Sequence, residues 1–498
     1  MSMERLLWES DATALAAGVR TGEIDARELV DAAIARAERV NPKINAIAER
    51  IYERARRDAA TVDRSLPFAG VPIAIKDLGV SMEGVPVHSG SRLPPIIGER
   101  DSTIIARYRA AGFIAIATST TPEFGLRLVT ESERFGITRN PWNTGHVTGG
   151  SSGGAAALVA AGVVPVAHAS DGGGSIRVPS ACCGLVGLKP SRGRVPLTPD
   201  IAEGWYGLAV QHSVTRSVRD SAAMLDLSSA HDPLSPYQAP APSGRFADAA
   251  ARMPKKLRIG LFRRSPLDLS VSEDSNKAFD TAAGLCRDAG HRVEEIDLPM
   301  LNRAFIADFA RVVASAQAGA LRLESERIGR SAMHGVERLA RMMARLGEMY
   351  SAGEISAALM RLQAASIEML QITNRFDAVL MPLIAHPPVV CGGLEPTGAD
   401  LLAEKALDRL RLTRLMRIGP LLDKMLDSSL WFTHWPAIQN VSGQPAIALP
   451  VHVTGQGLPL GVQFVGRIGD EETLLSLAGQ FEPMSGWLTR RAPLEIPD

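Results

Sequence analysis

The chain has 498 residues, 46% of them hydrophobic and 22% charged, the balance of a globular protein long enough to bury a large core. Lys plus Arg and Asp plus Glu both number 54, so net charge is zero and no global pull toward nucleic acid or an acidic membrane is expected. Cys182, Cys183, Cys286 and Cys391 are too few for a disulfide framework, show no C-x-x-C spacing, and read as small buried residues suited to a reducing compartment.

Met1 to Arg20 carries early acidic residues and no apolar signal core. We also read no eighteen-residue apolar run in the chain, so a cytoplasmic setting is the expectation. Leu6 to Arg64 predicts helices. Asp11 caps the first, with Leu15 and Val19 on one face. Leu29, Ile34 and Val40 share a face of the second, which Asn41-Pro42 is expected to stop. Glu49, Arg50, Glu53, Arg54, Arg56, Arg57 and Asp58 give a third helix a solvated face. Gly70 to Ile75 predicts a buried strand with Lys76 at its end. A lysine there either snorkels to water or, if desolvated, loses its proton readily. Asp101 to Ala111 predicts a helix and Phe113 to Ala117 a strand. Thr121-Pro122-Glu123-Phe124-Gly125 predicts a loop or helix start, and Glu131 and Arg139 can cross-brace loops.

Two glycine loops follow. Gly149-Gly150-Ser151-Ser152-Gly153-Gly154 and Asp171-Gly172-Gly173-Gly174-Ser175-Ile176-Arg177 flank the apolar segment Ala155–Ala169. That segment predicts a short helix, Ala155–Ala161, and a buried strand, Val163–Ala167. Glycine serves positive φ and close backbone approach. Loops with exposed N–H groups beside a hydroxyl are the parts of an oxyanion hole and a nucleophile. A tight turn without chemistry is the plainer reading of a lone Gly-Gly-Ser. The phosphate-loop and dinucleotide spacings are absent, as is the G-x-S-x-G nucleophile elbow around Ser175.

Ser180 to Gly184 packs small residues, and Ser191 to Ser213 is loop-rich. Trp205 and Tyr206 in that loop either line a pocket or cover core. Val218 to Leu227 predicts a helix and His231 to Pro254 a surface connector. Strand Leu257–Phe262, helix Asp274–Ala289 and strand Arg292–Ile296 argue for α/β layering. Asn302 to Phe376 is a long helical stretch in which Met333, Met342, Met343, Met349, Met360 and Met369 read as core gap-fillers. Asp377 to Met381 returns to strand, Pro382 to Leu430 is irregular and helical, and Asn440–Pro450 and Pro459–Val465 predict two strands.

Three motifs resemble the amidase signature family: the Val71–Asp77 strand with Lys76, the GGSSGG loop, and the D-x-G-G-S-I-R loop. Their order and separations, 75 residues from Lys76 to Ser151 and 24 from Ser151 to Ser175, fit that family (151 − 76 and 175 − 151). The likeness continues through Gly184-Leu185-Val186-Gly187-Leu188-Lys189-Pro190 to the chain end. Within the family, Thr138-Arg139-Asn140-Pro141-Trp142-Asn143 and Trp487-Leu488-Thr489-Arg490-Arg491 are most similar to hydrolases of the 6-aminohexanoate cyclic dimer type.

The resemblance implies an α/β fold: a mixed β-sheet core covered by helices on both faces. It implies one domain over residues 1–498, with N-terminal helices at 1–65 and a catalytic core at about 66–230 and 255–300. A helical insertion at about 301–430 and C-terminal core strands at 431–498 complete it. It implies Ser175 as nucleophile, Lys76 as base and Ser151, through a cis peptide bond, as relay. The N–H groups of Gly172, Gly173, Gly174 and Ser175 would form the oxyanion hole. Ser152, Asp171 and Arg177 would support the loops. The region around Phe124 would border the site, and Phe124, Trp205 and Tyr206 are candidate substrate contacts. This chain has Ser170 before the aspartate, where the family often has Thr, and Gly172 where it often has an apolar residue; the extra glycine is expected to loosen the hole or open space above it.

The expected activity is hydrolysis of a small linear or cyclic carboxylic amide or an anilide, with a carbamate- or ester-hydrolysing relative as one alternative. The alternatives are a glutaminase subunit of a tRNA-dependent amidotransferase and a catalytically silent binding protein. A homodimer is expected from the resemblance alone. No nucleic acid, membrane, metal or cofactor is expected as a partner.

Overall fold

The computed structural model describes residues 2–410, 412, 415 and 419–496; positions 411, 413–414 and 416–418 of the expected Pro382–Leu430 segment lie outside the described residues. The strands Pro72–Lys76, Val210–Thr215 and Pro459–Gly466 are buried along their whole length, even though Val210–Thr215 carries Gln211, His212, Ser213 and Thr215. Neither face of these strands is left to water, as in a sheet covered on both sides. Among the described residues eleven strands form this sheet, in the order Ile47–Arg50, Ile114–Ser119, Pro72–Lys76, Val166–Asp171, Val210–Thr215, Val186–Lys189, Ala446–Val453, Pro459–Gly466, Ala378–Pro382, Arg258–Leu261 and Arg292–Glu295. Both ends of the sheet are partly parallel and its middle is antiparallel, so this is the mixed α/β sheet the resemblance implies.

One pairing positions the site. Pro72–Lys76 runs parallel to Val166–Asp171, with Ile73 opposite Val166. Parallel neighbours end at the same edge of a sheet, which brings Lys76 and Asp171 to one rim. The helix Gly153–Ala160 packs beneath that rim on both strands. It is built from Gly, Ala, Leu and Val, and every residue in it is buried. The helix Arg177–Cys183 packs on Ala446–Val453 and Pro459–Gly466, and Glu471–Ser485 covers the same two strands.

The structure corrects several expected elements. Asp11 caps the second helix, Ala12–Thr21, because Met3–Glu9 forms a separate first helix. Pro42 does not stop Ala26–Ile44; the chain turns at Asn45, in a left-handed conformation, and Asn41 Oδ1 accepts the N–H groups of Ala46 and Ile47. Glu49 and Arg50 lie in a strand of the main sheet, and the charged helix starts at Tyr52. The strand expected over Val163–Ala167 is Val166–Asp171, carrying the chain directly into the second glycine loop. Asn440 to Ser442 belong to the helix Ala437–Ser442, and the strand begins only at Ala446.

Arg303–Ile328 contains an eighteen-residue window of mean hydropathy 1.2 with few charges, and half of that window is buried. It packs against the helices Arg338–Glu348 and Ala352–Thr373, which accounts for its apolar character. Met342 and Met369 are buried in this helical region as expected, whereas Met360 is 67% exposed.

Candidate active site

The site grows from the end of Pro72–Lys76. Lys76 is 1% exposed. Burial pushes its ammonium down to about 7, against the pull of the Asp171 carboxylate. Its Nζ lies 2.8 Å from Ser151 Oγ, 2.9 Å from Ser170 Oγ and 3.4 Å from the Ser170 carbonyl oxygen. The Gly150–Ser151 peptide bond is cis. Thr130 holds this loop, its hydroxyl donating to the Gly149 carbonyl and accepting the Gly153 N–H, both at 3.0 Å. Gly125 borders Ser151. It has φ +70°, and a β-carbon there would stand 3.2 Å from Ser151 Oγ.

Ser175 is nearly buried, and among the described residues its hydroxyl has no hydrogen-bond partner. Its carbonyl accepts the Ser152 N–H at 3.2 Å. The structure therefore joins Lys76 to Ser151 by side chains and links the two loops by backbone, with no hydroxyl-to-hydroxyl bond between Ser151 and Ser175. Ser152 braces rather than faces the site. Its hydroxyl donates to the Ser170 carbonyl at 3.2 Å and accepts the Ser170 N–H at 3.3 Å.

Asp171 and Arg177, both fully buried, fix the second loop. Arg177 Nε and Nη2 each lie 3.0 Å from an Asp171 carboxylate oxygen. Burial alone would raise the Asp171 carboxyl; Arg177 overrides it, with help from Lys189 and Asn440, and holds it well below the usual carboxylate range. The carboxylate also accepts the N–H groups of Gly174 at 2.7 Å and Ile176 at 3.1 Å. Gly174 is thereby occupied, which removes it from the expected free donors. The N–H groups of Gly172, Gly173 and Ser175 donate to no acceptor among the described residues.

Nothing in the sequence signals the amides that hold the Arg177 guanidinium from the far side. Gln439 and Gln463 accept from Arg177 Nη1, both at 2.8 Å, and Asn440 accepts from Nη2 at 2.7 Å while donating to the Asp171 carbonyl at 2.8 Å. These residues come from the last fifth of the chain, Gln439 and Asn440 from the helix Ala437–Ser442 and Gln463 from the strand Pro459–Gly466.

The candidate contact residues fall in different places. A β-carbon on Gly172 would meet the Trp205 ring and one on Gly173 the Phe309 ring, so both rings lie against the loop; Phe309 had no signal in the sequence. Tyr206 is largely exposed and its hydroxyl lies 3.3 Å from Ser315 Oγ. Phe124, at φ 50°, packs in a satellite cluster with Leu93, Leu321 and Val336. Its neighbour Glu123 accepts from Ser91 Oγ at 2.7 Å and from the Glu337 N–H at 2.8 Å, tying this border to the helical region. Glu131 and Arg139 do cross-brace loops: Glu131 accepts the Gly392 N–H and Arg139 donates to the Thr144 carbonyl.

A buried lysine beside a serine hydroxyl, at the rim of a mixed sheet, fits the class of amide-cleaving hydrolases, and comparison with known proteins supports that class. The Amidase family profile matches residues 28–475. The chain is 35% identical to 6-aminohexanoate-cyclic-dimer hydrolase of Paenarthrobacter ureafaciens, covering 99% of this chain and 98% of that protein. A solved 6-aminohexanoate cyclic dimer hydrolase in complex with substrate superposes with TM-score 0.87 at 34% identity, over 99% of this chain and 100% of the other. A bacterial aryl acylamidase superposes with TM-score 0.85 at 26% identity, over 99% and 100% of the two chains. The chain belongs to the amidase signature family, and it is an amidase, a hydrolase of carbon–nitrogen bonds other than peptide bonds.

Proposed function

We propose that the chain hydrolyses a small carboxylic amide through an acyl-enzyme on Ser175, with Lys76 as base and Ser151 as relay. The observation that carries this reading is the 2.8 Å contact between the buried Lys76 amine and Ser151 Oγ. A serine hydroxyl is a weak nucleophile without an adjacent base. As Ser175 Oγ bonds to the carbonyl carbon, its proton passes to Ser151 Oγ and the proton of Ser151 passes to Lys76 Nζ. The carbonyl π electrons move onto oxygen, where the N–H groups of Gly172, Gly173 and Ser175 stabilise the charge. One such donor is worth about 3 kcal/mol in acyl transfer. The proton then returns from Lys76 through Ser151 to the leaving nitrogen as the C–N bond breaks. Water enters by the same relay and frees the acid.

The likeness to 6-aminohexanoate cyclic dimer hydrolase and to an aryl acylamidase supports linear or cyclic aminoalkanoate amides and anilides as the first substrates to try. Trp205 and Phe309 are the proposed walls beside the reacting carbonyl. A homodimer belongs to this reading on family likeness alone, and light scattering of the purified chain measures it.

The test is a hydrolysis panel with the purified chain: a linear amide, an anilide, the cyclic aminohexanoate dimer, a carbamate and glutamine, each beside a Ser175→Ala control. Turnover of a non-glutamine amide, lost in the control, is the expected result. Turnover by a folded Ser175→Ala variant sinks the mechanism, and activity on glutamine alone favours an amidotransferase subunit.

A further inference from the structure

An unprotonated lysine amine has two N–H groups and one lone pair, and only the lone pair can take a proton. Its orientation therefore decides whether the amine acts as a base toward Ser151 or merely donates to it. Three oxygens surround Lys76 Nζ: Ser151 Oγ at 2.8 Å, Ser170 Oγ at 2.9 Å and Ser170 O at 3.4 Å. Two of the three belong to one residue. An amine that spends an N–H on Ser151 points its lone pair elsewhere. An amine that spends both N–H groups on Ser170 has its lone pair left for the Ser151 hydroxyl.

Ser170 is held firmly enough to impose this choice. It sits in the strand Val166–Asp171, beside the lysine strand. Its N–H and carbonyl are both engaged by Ser152 Oγ, at 3.3 and 3.2 Å. Ser152 follows Ser151 in the chain, so one loop supplies both the proton relay and the brace on the residue that aims the base.

We propose that Ser170 is a positioning residue whose hydroxyl and carbonyl oxygens take the two N–H groups of unprotonated Lys76 and so turn its lone pair toward Ser151 Oγ. This rests on the reading of Lys76 as the base. The proton step is the one given above: the Ser151 O–H bond breaks as the Lys76 N–H bond forms, and Ser151 regains a proton from Ser175. The ionisable groups nearest Lys76 on the neighbouring strand are Asp171, whose charge favours the ammonium, and His168, which burial keeps neutral.

The experiment compares Ser170→Ala, Ser170→Thr and Lys76→Ala with the unaltered chain, on the amide it turns over best. The readouts are kcat and KM across pH. Lysine labelled with carbon-13 at Cε, its Lys76 signal assigned through Lys76→Ala, gives the ionisation midpoint without substrate. A hydroxyl acceptor stabilises the ammonium more than the amine, so losing it lowers the midpoint. Expected for Ser170→Ala is a fall in kcat of about tenfold to a hundredfold, KM little changed, and an acid limb and midpoint moved to lower pH. Ser170→Thr, which keeps the hydroxyl, recovers both. A folded Ser170→Ala chain with unaltered kcat and midpoint overturns the proposal, as does a fall in kcat with an unmoved midpoint that Thr fails to repair. Loss of turnover in Lys76→Ala beside an unaffected Ser170→Ala strikes the role of Ser170 alone, whereas turnover retained by Lys76→Ala removes the base and both readings together.

Discussion

A β-carbon on Gly172 would stand 3.0 Å from Trp205 Cε3 and 3.1 Å from Trp205 Cζ3. The extra glycine of the loop is thus the seat of an indole ring. The sequence leads one to expect looseness or open space above the hole; the ring occupies that space. Trp205 reaches it from a turn in which Trp205, Tyr206 and Gly207 all have positive φ.

This contact makes a prediction about coupling. In Gly172→Ala the new methyl presses on the indole, so kcat falls and the Trp205 fluorescence shifts. In a Trp205→Ala background the same methyl is relieved of the ring that stands nearest to it and does far less harm. A double-mutant cycle on kcat/KM is expected to give a coupling of about 0.5–3 kcal/mol. Strictly additive effects would show that the ring does not rest on the loop in solution.

The pH dependence of turnover follows from Lys76. The base works only without its proton, and burial brings the ammonium down to about 7. Expected is a kcat/KM that climbs about tenfold per pH unit on the acid side and levels off above about pH 7. An acid limb near the ordinary lysine value of about 10.4 would show that some other state of the lysine limits the reaction.

Much of this site was legible because its parts are local in sequence. The Val71–Asp77 run, the GGSSGG loop and the Asp171–Arg177 loop each announce themselves by composition, and the structure brings Lys76 to Ser151 and Asp171 to Arg177. What was not legible depends on the sheet. Gln463 reaches Arg177 from the strand Pro459–Gly466, which packs against the helix Arg177–Cys183, and Asn440 reaches it from the helix Ala437–Ser442, both far along the chain. Gly174 reads like its neighbours, yet the Asp171 carboxylate takes its N–H. The proline rule misplaced the end of Ala26–Ile44, since a left-handed Asn45 and the Asn41 side chain make the stop.

Arg177 is expected to be a stability residue as well as a support for the loop. Arg177→Met leaves the Asp171 carboxylate buried without its cation, which costs about 3–5 kcal/mol. Urea unfolding followed by tryptophan fluorescence measures the loss. Arg177→Met combined with Asp171→Asn removes both charges and should recover part of that stability, though not the activity, because the Gly174 and Ile176 N–H groups lose their charged acceptor. Equal destabilisation in the single and double variants would mean that the lost hydrogen bonds, not the stranded charge, set the cost.

Lys189 gives a prediction about stability that does not involve the reaction. It is fully buried at the end of Val186–Lys189, and its Nζ donates to the Pro190 carbonyl at 2.8 Å. Burial first, then the Arg177 charge, pushes its ammonium down to about 7. Its unfolded value stays near 10.4. Between these two values the unfolded chain holds a proton there that the folded chain lacks, so the Lys189 contribution to stability rises with pH. Below about pH 7 both states hold the proton and the slope vanishes. The difference in unfolding free energy between the wild type and Lys189→Met isolates this group from every other titration. Above about pH 8 that difference should move in favour of the wild type by about 1.4 kcal/mol per pH unit, with about half that slope at pH 7, and a flat difference would show that Lys189 keeps its proton in the folded protein.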